Sequence, residues 1–461
     1  MTVSSEKIAT VDSKVIKGYA KKIRESSKID PELYQRYNVK RGLRNADGTG
    51  VLTGLTSIGS VHGYVTSESE KVSVPGQLFY RGINVRDFVK GFQSSNRFGF
   101  EECAYLLLLG DLPTNRELDE WCSTLGQCRH LPEKFRDDAI IRVAGNDIMN
   151  GIARAVLAAY TRDPTPDKTD IATTLRQSIC MIAQFPTIAA YAWQAKCHAF
   201  EGKKLVINEP DEKLSTAENF LRMIRDDGRY TKLEAELFDL CLVLHAEHGG
   251  GNNSSFTTHV VTSTYTDAYS AIAAAVLSLK GPRHGGANLR VMNQMQEIKK
   301  NVRHWYKEGE VADYLRKILD KDAGDGTGLI YGLGHAVYTL SDPRTEILRE
   351  RARLLAHANK REEEMELYET IERVGPEVFN ERRAKTRDLC ANVDFYSGFV
   401  YDMLGIPLDL YTPIFAISRV VGWCAHRTEE LLNGGPIIRP AYKAIVEHRP
   451  YVPHSQRQEK E

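Results

Sequence analysis

The stretch DAYSAIAAAVLSLKGPRHGGAN, residues 267–288, decides the fold class. Its first part, up to Leu279, is rich in alanine and places small residues on every face, which predicts a core helix that other helices can approach closely. The Gly281-Pro282 dipeptide ends that helix, and a second helical pattern begins at Ala287. Two helices joined by a short glycine-rich turn favour a mainly helical protein. The turn between them carries His284.

Helical patterns continue through most of the chain. Apolar residues at helical spacing, separated by turn residues, mark 100–109, 115–128, 148–160, 171–196, 211–225 and 232–244. Short runs punctuated by glycine at about residues 50–88 predict small hairpins, the only sheet that we expect.

We therefore predict a mainly α fold of two helical domains with a small N-terminal β-hairpin region. The stretch 288–390 is more charged than its neighbours, which indicates a smaller and more exposed unit between two apolar ones. The predicted segments are an N-terminal helical segment (1–45), the first part of a large domain (46–287), a small domain (288–390), and the second part of the large domain with a C-terminal tail (391–461).

The composition argues against several classes of protein. The 461 residues contain 61 Lys+Arg and 61 Asp+Glu, and a formal net charge of zero argues against a nucleic-acid partner or a basic membrane-binding surface. The longest apolar run, residues 271–277, is far shorter than the roughly 20 residues of a membrane-spanning helix. Eight scattered cysteines without a CxxC pair indicate free thiols, and acidic residues near the N-terminus argue against a transit peptide. We expect a cytoplasmic protein.

Three glycine-containing stretches each hold an ionisable residue in turn-forming surroundings: His284 in GPRHGGAN, His335 in GLGHAVY and Asp394 in NVDFYSG. A side chain in such a turn is held by the backbone and stays open to a ligand. Two imidazoles and a carboxylate can polarise a carbonyl, donate a proton and remove a proton near neutral pH. We predict that these three residues are catalytic. The structural alternatives are a satisfied turn histidine, a flexible surface loop and an N-cap aspartate.

Further polar residues are candidates for substrate binding. His245 and His248 share a helix face and could bind a metal, but cysteine, histidine and carboxylate partners at metal spacing are missing, so we predict no metal site. We favour His248 as a substrate ligand. Arg344 opens a predicted helix, and Arg419 and Arg439 lie among apolar residues. Arginines in such settings pair with an anion, either a bound carboxylate or one of the protein's own.

Taken together, these motifs resemble the citrate synthase family. The resemblance covers roughly residues 50–450, in the family's order. It rests on LHAEH (244–248), GPRHGGAN (281–288), GLGHAVY with SDPR (332–344), NVDFYSG (392–398) and the stretch from Ser418-Arg419 to Arg439-Pro440, and the YRGI hairpin (80–83) also fits. It implies a mostly helical homodimer whose large and small domains close over the substrates.

The resemblance also implies an activity. Oxaloacetate would condense with acetyl-CoA, and hydrolysis of citryl-CoA would release citrate and CoA, the acyltransferase step that opens the tricarboxylic acid cycle. Asp394 would take a proton from the acetyl methyl group, His284 would stabilise the thioester enolate, and His335 would polarise the oxaloacetate ketone. Acetyl-CoA would be a co-substrate, and no cofactor would be bound permanently.

The resemblance further assigns the binding residues. His248, Arg344 and Arg419 would hold the carboxylates of oxaloacetate, and Arg439 would reach across the dimer interface. One departure concerns CoA. Many relatives carry a basic residue where this chain has Thr339, so we expect the CoA phosphate contacts to be redistributed, with Arg283 as a candidate.

Two other functions compete with this prediction. A 2-methylcitrate synthase would use propionyl-CoA with the same catalytic residues, and one extra methylene is worth only about 1–3 kcal/mol of discrimination. A non-catalytic sensor of CoA or a dicarboxylate could also use the fold, although a sensor has no need of Asp394.

Overall fold

The computed structural model describes residues 12–67, 70–335, 337–382 and 388–457. Within these residues the protein is mainly helical, with one small sheet. The strands are β1 (Gly59–Ser67), β2 (Glu70–Tyr80) and β3 (Ile83–Asn84). The helices are α1 (Ser13–Ser27), α2 (Pro31–Arg36), α3 (Val85–Ser94), α4 (Phe100–Leu109), α5 (Asn115–Cys128), α6 (Glu133–Arg136), α7 (Ile148–Ala159), α8 (Ile171–Glu201), α9 (Thr216–Ile224), α10 (Lys232–His245), α11 (Asn253–Thr262), α12 (Ala268–Lys280), α13 (Ala287–Asn301), α14 (Glu308–Leu319), α15 (Pro343–Ala358), α16 (Glu362–Asn380), α17 (Val393–Met403) and α18 (Tyr411–Asn433).

The three strands form an antiparallel sheet in the order β1-β2-β3. Gly59 lies opposite Tyr80 at one end of the β1–β2 pair, and Ser67 lies opposite Glu70 at the other. The short strand β3 adds to β2 through the pair Tyr80–Ile83. This sheet is the hairpin region predicted from the glycine-punctuated runs.

Two glycines let the hairpin contact the chain segment that follows His335. Gly63 lies where the register of β1 shifts, and a Cβ on it would lie 2.6 Å from the carbonyl oxygen of Val337. A Cβ on Gly76 would lie 2.1 Å from the carbonyl oxygen of Ser341. Both distances are far below a carbon–oxygen contact, so a larger residue at either position would push the hairpin away from this segment.

The central helices are α8 and α18, which pack against each other. Helix α8 also packs on α5, α7 and α9, and α18 on α4, α10, α11 and α12. Helix α12 packs along both α7 and α11, and its residues Ala268, Ala271 and Ala275 are fully buried. The alanine-rich sequence therefore has the close helix packing that it predicts.

A second group of helices carries much of the candidate site. Helix α14 packs on α16, α15 packs on α16 and α17, and α13 packs on α17. Helix α17 connects this group to α10, and α13 also contacts α18. Within the described residues, no helix is both long and apolar enough to cross a bilayer.

Candidate active site

Backbone hydrogen bonds join the loop that carries His335 to the segment that carries Asp394. The N–H of Asn392 donates to the carbonyl of Gly332 at 2.9 Å, and its side-chain amide donates to the carbonyl of Gly334 at 2.9 Å. The side-chain oxygen of Asn392 accepts the N–H of Asp394 and caps α17. Because Asn392 is the cap, the carboxyl group of Asp394 is not needed for that role.

Asp394 lies in the first turn of α17 and has the properties of a base. Burial raises its pKa to about 6, while Arg344 and Arg419 act in the opposite direction. Its neighbours Phe395 and Tyr396 are fully buried and contribute to this desolvation. A carboxylate with this pKa is ionised at neutral pH and is a stronger base than an exposed aspartate.

Backbone N–H groups determine which ring nitrogen of His335 carries the proton. Its Nδ1 accepts two N–H groups, from Val337 at 3.0 Å and from Tyr338 at 3.1 Å. Burial, and then Arg344, lower its pKa to about 4, so the ring is neutral at pH 7. A neutral ring whose Nδ1 accepts hydrogen bonds carries its proton on Nε2. His335 therefore offers an Nε2–H donor to a ligand.

His284 lies in the turn between α12 and α13. Its Nε2 is 3.2 Å from the hydroxyl oxygen of Ser254, which also accepts the indole N–H of Trp423 at 3.1 Å. Burial, and then Arg419, lower the pKa of His284 to about 4, so this ring is neutral as well. The contact with Ser254 leaves Nδ1 as the ring nitrogen that a ligand can use.

His248 is buried beside His335. The ring centroids are 5.1 Å apart in an edge-to-face arrangement, and the Nε2 of His248 has no hydrogen-bond partner among the described residues. Burial, and then Arg344, lower its pKa well below the usual value. His245 instead donates its Nδ1–H to the carbonyl of Cys241 at 2.6 Å. The part of the chain that the structure describes contains no group of three or more potential metal ligands.

The two buried arginines of the candidate site differ in their partners. Arg344 makes a bidentate contact with Asp342, Nε to Oδ1 at 3.0 Å and Nη2 to Oδ2 at 2.7 Å. Arg419 is completely buried, and its Nε donates to the carbonyl of His245 at 2.7 Å. Neither Nη1 nor Nη2 of Arg419 has a partner in the described part of the chain. Burial lowers the pKa of Arg419 to about 10. An unpaired buried guanidinium is a site for an anion.

The electrostatic contacts show that six of the predicted residues converge. Arg419 lowers the pKa of His248, His284 and Asp394, and Arg344 does the same for His248, His335 and Asp394. The two other predicted residues lie at the surface. Arg283 is exposed on the turn beside His284, and Arg439 is exposed on the segment after α18.

Three residues that position this cluster were not predicted for those roles. Asp342 caps α15, and it also holds Arg344. The pairing has a local signal, because both residues lie within the first turn of one helix. Ser254 reaches the site from α11 without a distinguishing pattern in the sequence. Asn392 begins the NVDFYSG motif, but the sequence does not show that its amide holds the loop of His335.

Comparisons with known proteins show the family of the chain. Residues 48–441 match the family profile described as "Citrate synthase, C-terminal domain". The chain is 36% identical to citrate synthase of Synechocystis sp. over 83% of its own length and 88% of that protein. It is 34% identical to 2-methylcitrate synthase 1 of Corynebacterium glutamicum, over 85% of its own length and 95% of that protein.

A solved structure extends the comparison to the fold. The ternary complex of carboxymethyl coenzyme A and oxaloacetate with citrate synthase from Thermoplasma acidophilum is 26% identical, with a TM-score of 0.73 over 91% of this chain and 99% of that one. The predicted fold class, acyltransferase class and citrate-forming reaction are thereby confirmed. The chain belongs to the citrate synthase family.

Proposed function

We propose that this chain forms citrate from oxaloacetate and acetyl-CoA at the cluster around Asp394, His284 and His335. The observation that carries the proposal is the pairing of one raised-pKa carboxylate with two neutral imidazoles beside an unpaired buried guanidinium. Carbon–carbon bond formation here needs a base, two neutral hydrogen-bond donors and a cation for the carboxylates, and the cluster supplies each of them.

The first step is removal of a proton from the methyl group of acetyl-CoA. The carboxylate of Asp394 takes this proton. The electron pair of the broken C–H bond stays on the substrate, which becomes the enolate of the thioester. The Nδ1 of His284 donates a hydrogen bond to the enolate oxygen. For this, the hydroxyl proton of Ser254 must point to the Nε2 of His284 and not to Asn252, which the hydroxyl also contacts at 3.0 Å.

The second step is attack of the enolate carbon on the ketone of oxaloacetate. The Nε2–H of His335 donates to the ketone oxygen and stabilises the negative charge that develops there. The Nη groups of Arg419 bind one carboxylate of oxaloacetate, and His248 and Arg344 complete the binding site. Water then cleaves the citryl thioester and releases citrate and CoA.

The assembly and the CoA contacts belong to the same proposal. In a homodimer, Arg439 would complete the site of the second copy. Arg439 can reach a second copy because it is exposed on the segment after α18. Exposed Arg283, beside His284, would contact a CoA phosphate. Acetyl-CoA is a co-substrate, and we assign no permanently bound cofactor. We place the protein in the cytoplasm because its eight cysteines are free.

A thiol-release assay tests this function. Purified protein is given acetyl-CoA with and without oxaloacetate, and free CoA is measured with a thiol reagent. We expect release that depends on oxaloacetate and is lost in Asp394→Asn. A protein that binds both compounds and releases no CoA would be a sensor, and the proposal would be wrong.

The same assay with propionyl-CoA tests the choice of thioester. We expect a higher kcat/KM for acetyl-CoA, within the roughly 10–200-fold range that one methylene can supply. A higher kcat/KM for propionyl-CoA would assign the chain to the 2-methylcitrate synthases, whose Corynebacterium glutamicum member is 34% identical.

A further inference from the structure

A chain of two carboxylates and two imidazoles runs from beside His248 towards the surface. Oε1 of Glu247 is 3.1 Å from Nε2 of His426, and Nδ1 of His426 is 3.2 Å from Nε2 of His259. Nδ1 of His259 is 2.7 Å from Oε2 of Glu430. Glu247 and His426 are completely buried, and the side chain of Glu430 is 22% exposed. We call these four residues the Glu–His–His–Glu chain.

The number of protons in this chain follows from its three contacts. Carboxylates and imidazoles have no hydrogen-bonding hydrogens other than the ones that they titrate, so each contact needs one titratable proton. Three contacts therefore need three protons. If Glu247 and Glu430 are ionised, all three lie on the imidazoles, and the two rings share one proton more than two neutral rings would hold. Without it, one of the three contacts would lack a hydrogen, and if both carboxylate contacts kept theirs, two nitrogen lone pairs would face each other at 3.2 Å.

The pKa directions favour an ionised Glu247 and disfavour a doubly charged histidine pair. Burial, and then His426, lower the pKa of His259, which disfavours a second positive charge on the pair. Burial raises the pKa of Glu247, but His426, Arg419 and the N–H of Gly249 outweigh it and bring the pKa below its usual value. Glu247 is thus ionised, and His426 is its hydrogen-bond donor.

Other charged groups also face the chain. Oε2 of Glu429 is 4.0 Å from Nδ1 of His426, and Arg81 and Arg419 act on Glu247 from the hairpin and from α18. The carboxylate of Glu247 fits between two glycines. A Cβ on Gly59 would lie 3.3 Å from its Oε1, and one on Gly422 would lie 2.5 Å from its Oε2.

The chain ends at the backbone that carries the substrate-binding groups. Glu247 lies next to His248 in the sequence, and its carboxylate accepts the N–H of Gly249, so that His248 is enclosed in one short turn. Arg419 donates to the carbonyl of His245 at the other end of the same segment. Movement of Glu247 would therefore displace both His248 and Arg419.

We propose that the Glu–His–His–Glu chain is a positioning device for oxaloacetate, in which one proton shared by His426 and His259 holds Glu247, and through it His248 and Arg419, in place. The proposal rests on the proposed function for its kinetic effect. The direction of its pH dependence follows from the proton count. The device works while the shared proton is present, and it fails as rising pH removes that proton.

Nitrogen-15 NMR of the histidine rings tests the proton count without any substrate. His259→Gln and His426→Gln assign the signals. We expect three of the four nitrogens of His259 and His426 to be protonated at pH 7, and two after titration to high pH. Two protonated nitrogens at pH 7, or four, would overturn the proposal whether or not the protein makes citrate.

His259→Gln tests the positioning role by kinetics. The glutamine amide can donate to Nδ1 of a neutral His426, so its hydrogen bond needs no titrating proton. We expect the KM for oxaloacetate of the native protein to rise about tenfold or more between pH 7 and 9, the effect of one lost charge-assisted hydrogen bond. In His259→Gln the rise should be absent, and His259→Phe should have the raised KM at both pH values.

The outcomes separate the two proposals. An equal rise in the KM for oxaloacetate in the native protein and in His259→Gln would refute the positioning role. The rise would then come from titrating groups that both proteins share. No CoA release by the native protein at any pH would refute the proposed function, and the NMR count would still decide the state of the chain.

Discussion

Arg419→Met separates binding from stability more sharply than any other substitution in the site. The guanidinium is completely buried, and both Nη groups lack partners among the described residues. Burial lowers its pKa from the ordinary value of an arginine to about 10. One pKa unit corresponds to about 1.4 kcal/mol, so keeping this charge in the unliganded protein costs about 3 kcal/mol. A substrate carboxylate removes that cost by accepting hydrogen bonds from both Nη groups.

The expected effects of Arg419→Met on binding and on stability therefore differ. Two charge-assisted hydrogen bonds contribute about 3–6 kcal/mol, so the KM for oxaloacetate should rise about 10²- to 10⁴-fold. The free energy of unfolding without ligand should stay within about 1 kcal/mol of the native value or exceed it, because relief of the buried charge offsets the lost contacts with His245 and Phe415. Steady-state kinetics and urea unfolding measure the two quantities.

Arg427 provides the matched control. It is also completely buried on α18, but its Nη groups donate to Thr262 at 3.3 Å and to the carbonyl of Thr266 at 2.7 Å. Arg427→Met should lose about 2–4 kcal/mol of stability, with the KM for oxaloacetate unchanged. If Arg419→Met lost that much stability in the absence of ligand and kept the native KM for oxaloacetate, Arg419 would be a structural residue and not a substrate ligand.

Three further predictions test the base, the ketone donor and the hairpin contact. The kcat/KM for acetyl-CoA should fall as pH falls through about 6, because protonated Asp394 cannot act as a base; a profile that stays flat down to pH 4.5 would contradict this. In His335→Ala the carbonyl stretch of bound oxaloacetate should return to its solution frequency, and an unchanged infrared shift would assign the polarisation elsewhere. Gly76→Ala should lose about 1–3 kcal/mol of stability because its Cβ would lie 2.1 Å from the carbonyl of Ser341, whereas Gly18→Ala, which meets open space, should lose none; equal stability of the two variants would show that the contact is unimportant.

Helix positions were predictable where the sequence contains a local cap. Helices α4 and α5 have the predicted bounds because a left-handed Gly110 ends the first and a Thr114–Glu117 capping box begins the second. The helix predicted over 211–225 begins only at Thr216, after a capping box formed by Ser215 and Glu218 that the apolar spacing does not reveal.

Other boundaries depend on neighbouring elements. Helix α8 was predicted over 171–196 but runs to Glu201, where Gly202 adopts a left-handed conformation, and it contains Pro186 in its interior. Burial against α5, α7, α9 and α18 stabilises its middle despite the lost hydrogen bond. Propensity alone cannot anticipate that effect, because it arises from tertiary packing.

The candidate site was predictable in its ionisable residues and unpredictable in their partners. His284, His335 and Asp394 stood out because each belongs to a glycine-containing stretch with turn-forming residues. The partner of His284 comes from α11, far away in the sequence. His335 accepts hydrogen bonds from a backbone turn, and the sequence contains no sign of which ring nitrogen is protonated.

The Glu–His–His–Glu chain shows the same limit. Its members come from the turn after α10, from α11 and from α18, and each of the four alone is an ordinary polar residue of a helical protein. Only the fold brings His426 between Glu247 and His259.

A crystal structure of this protein with oxaloacetate and carboxymethyl coenzyme A would show whether Asp394, His284 and His335 converge on the substrates. The Thermoplasma acidophilum enzyme forms a ternary complex with that pair. We predict that the analogue's carboxyl group lies within about 3 Å of both Asp394 and His284, and that the ketone oxygen of oxaloacetate lies within about 3 Å of the Nε2 of His335. Ligands bound away from these residues, or any of the three side chains left without a ligand contact, would contradict it.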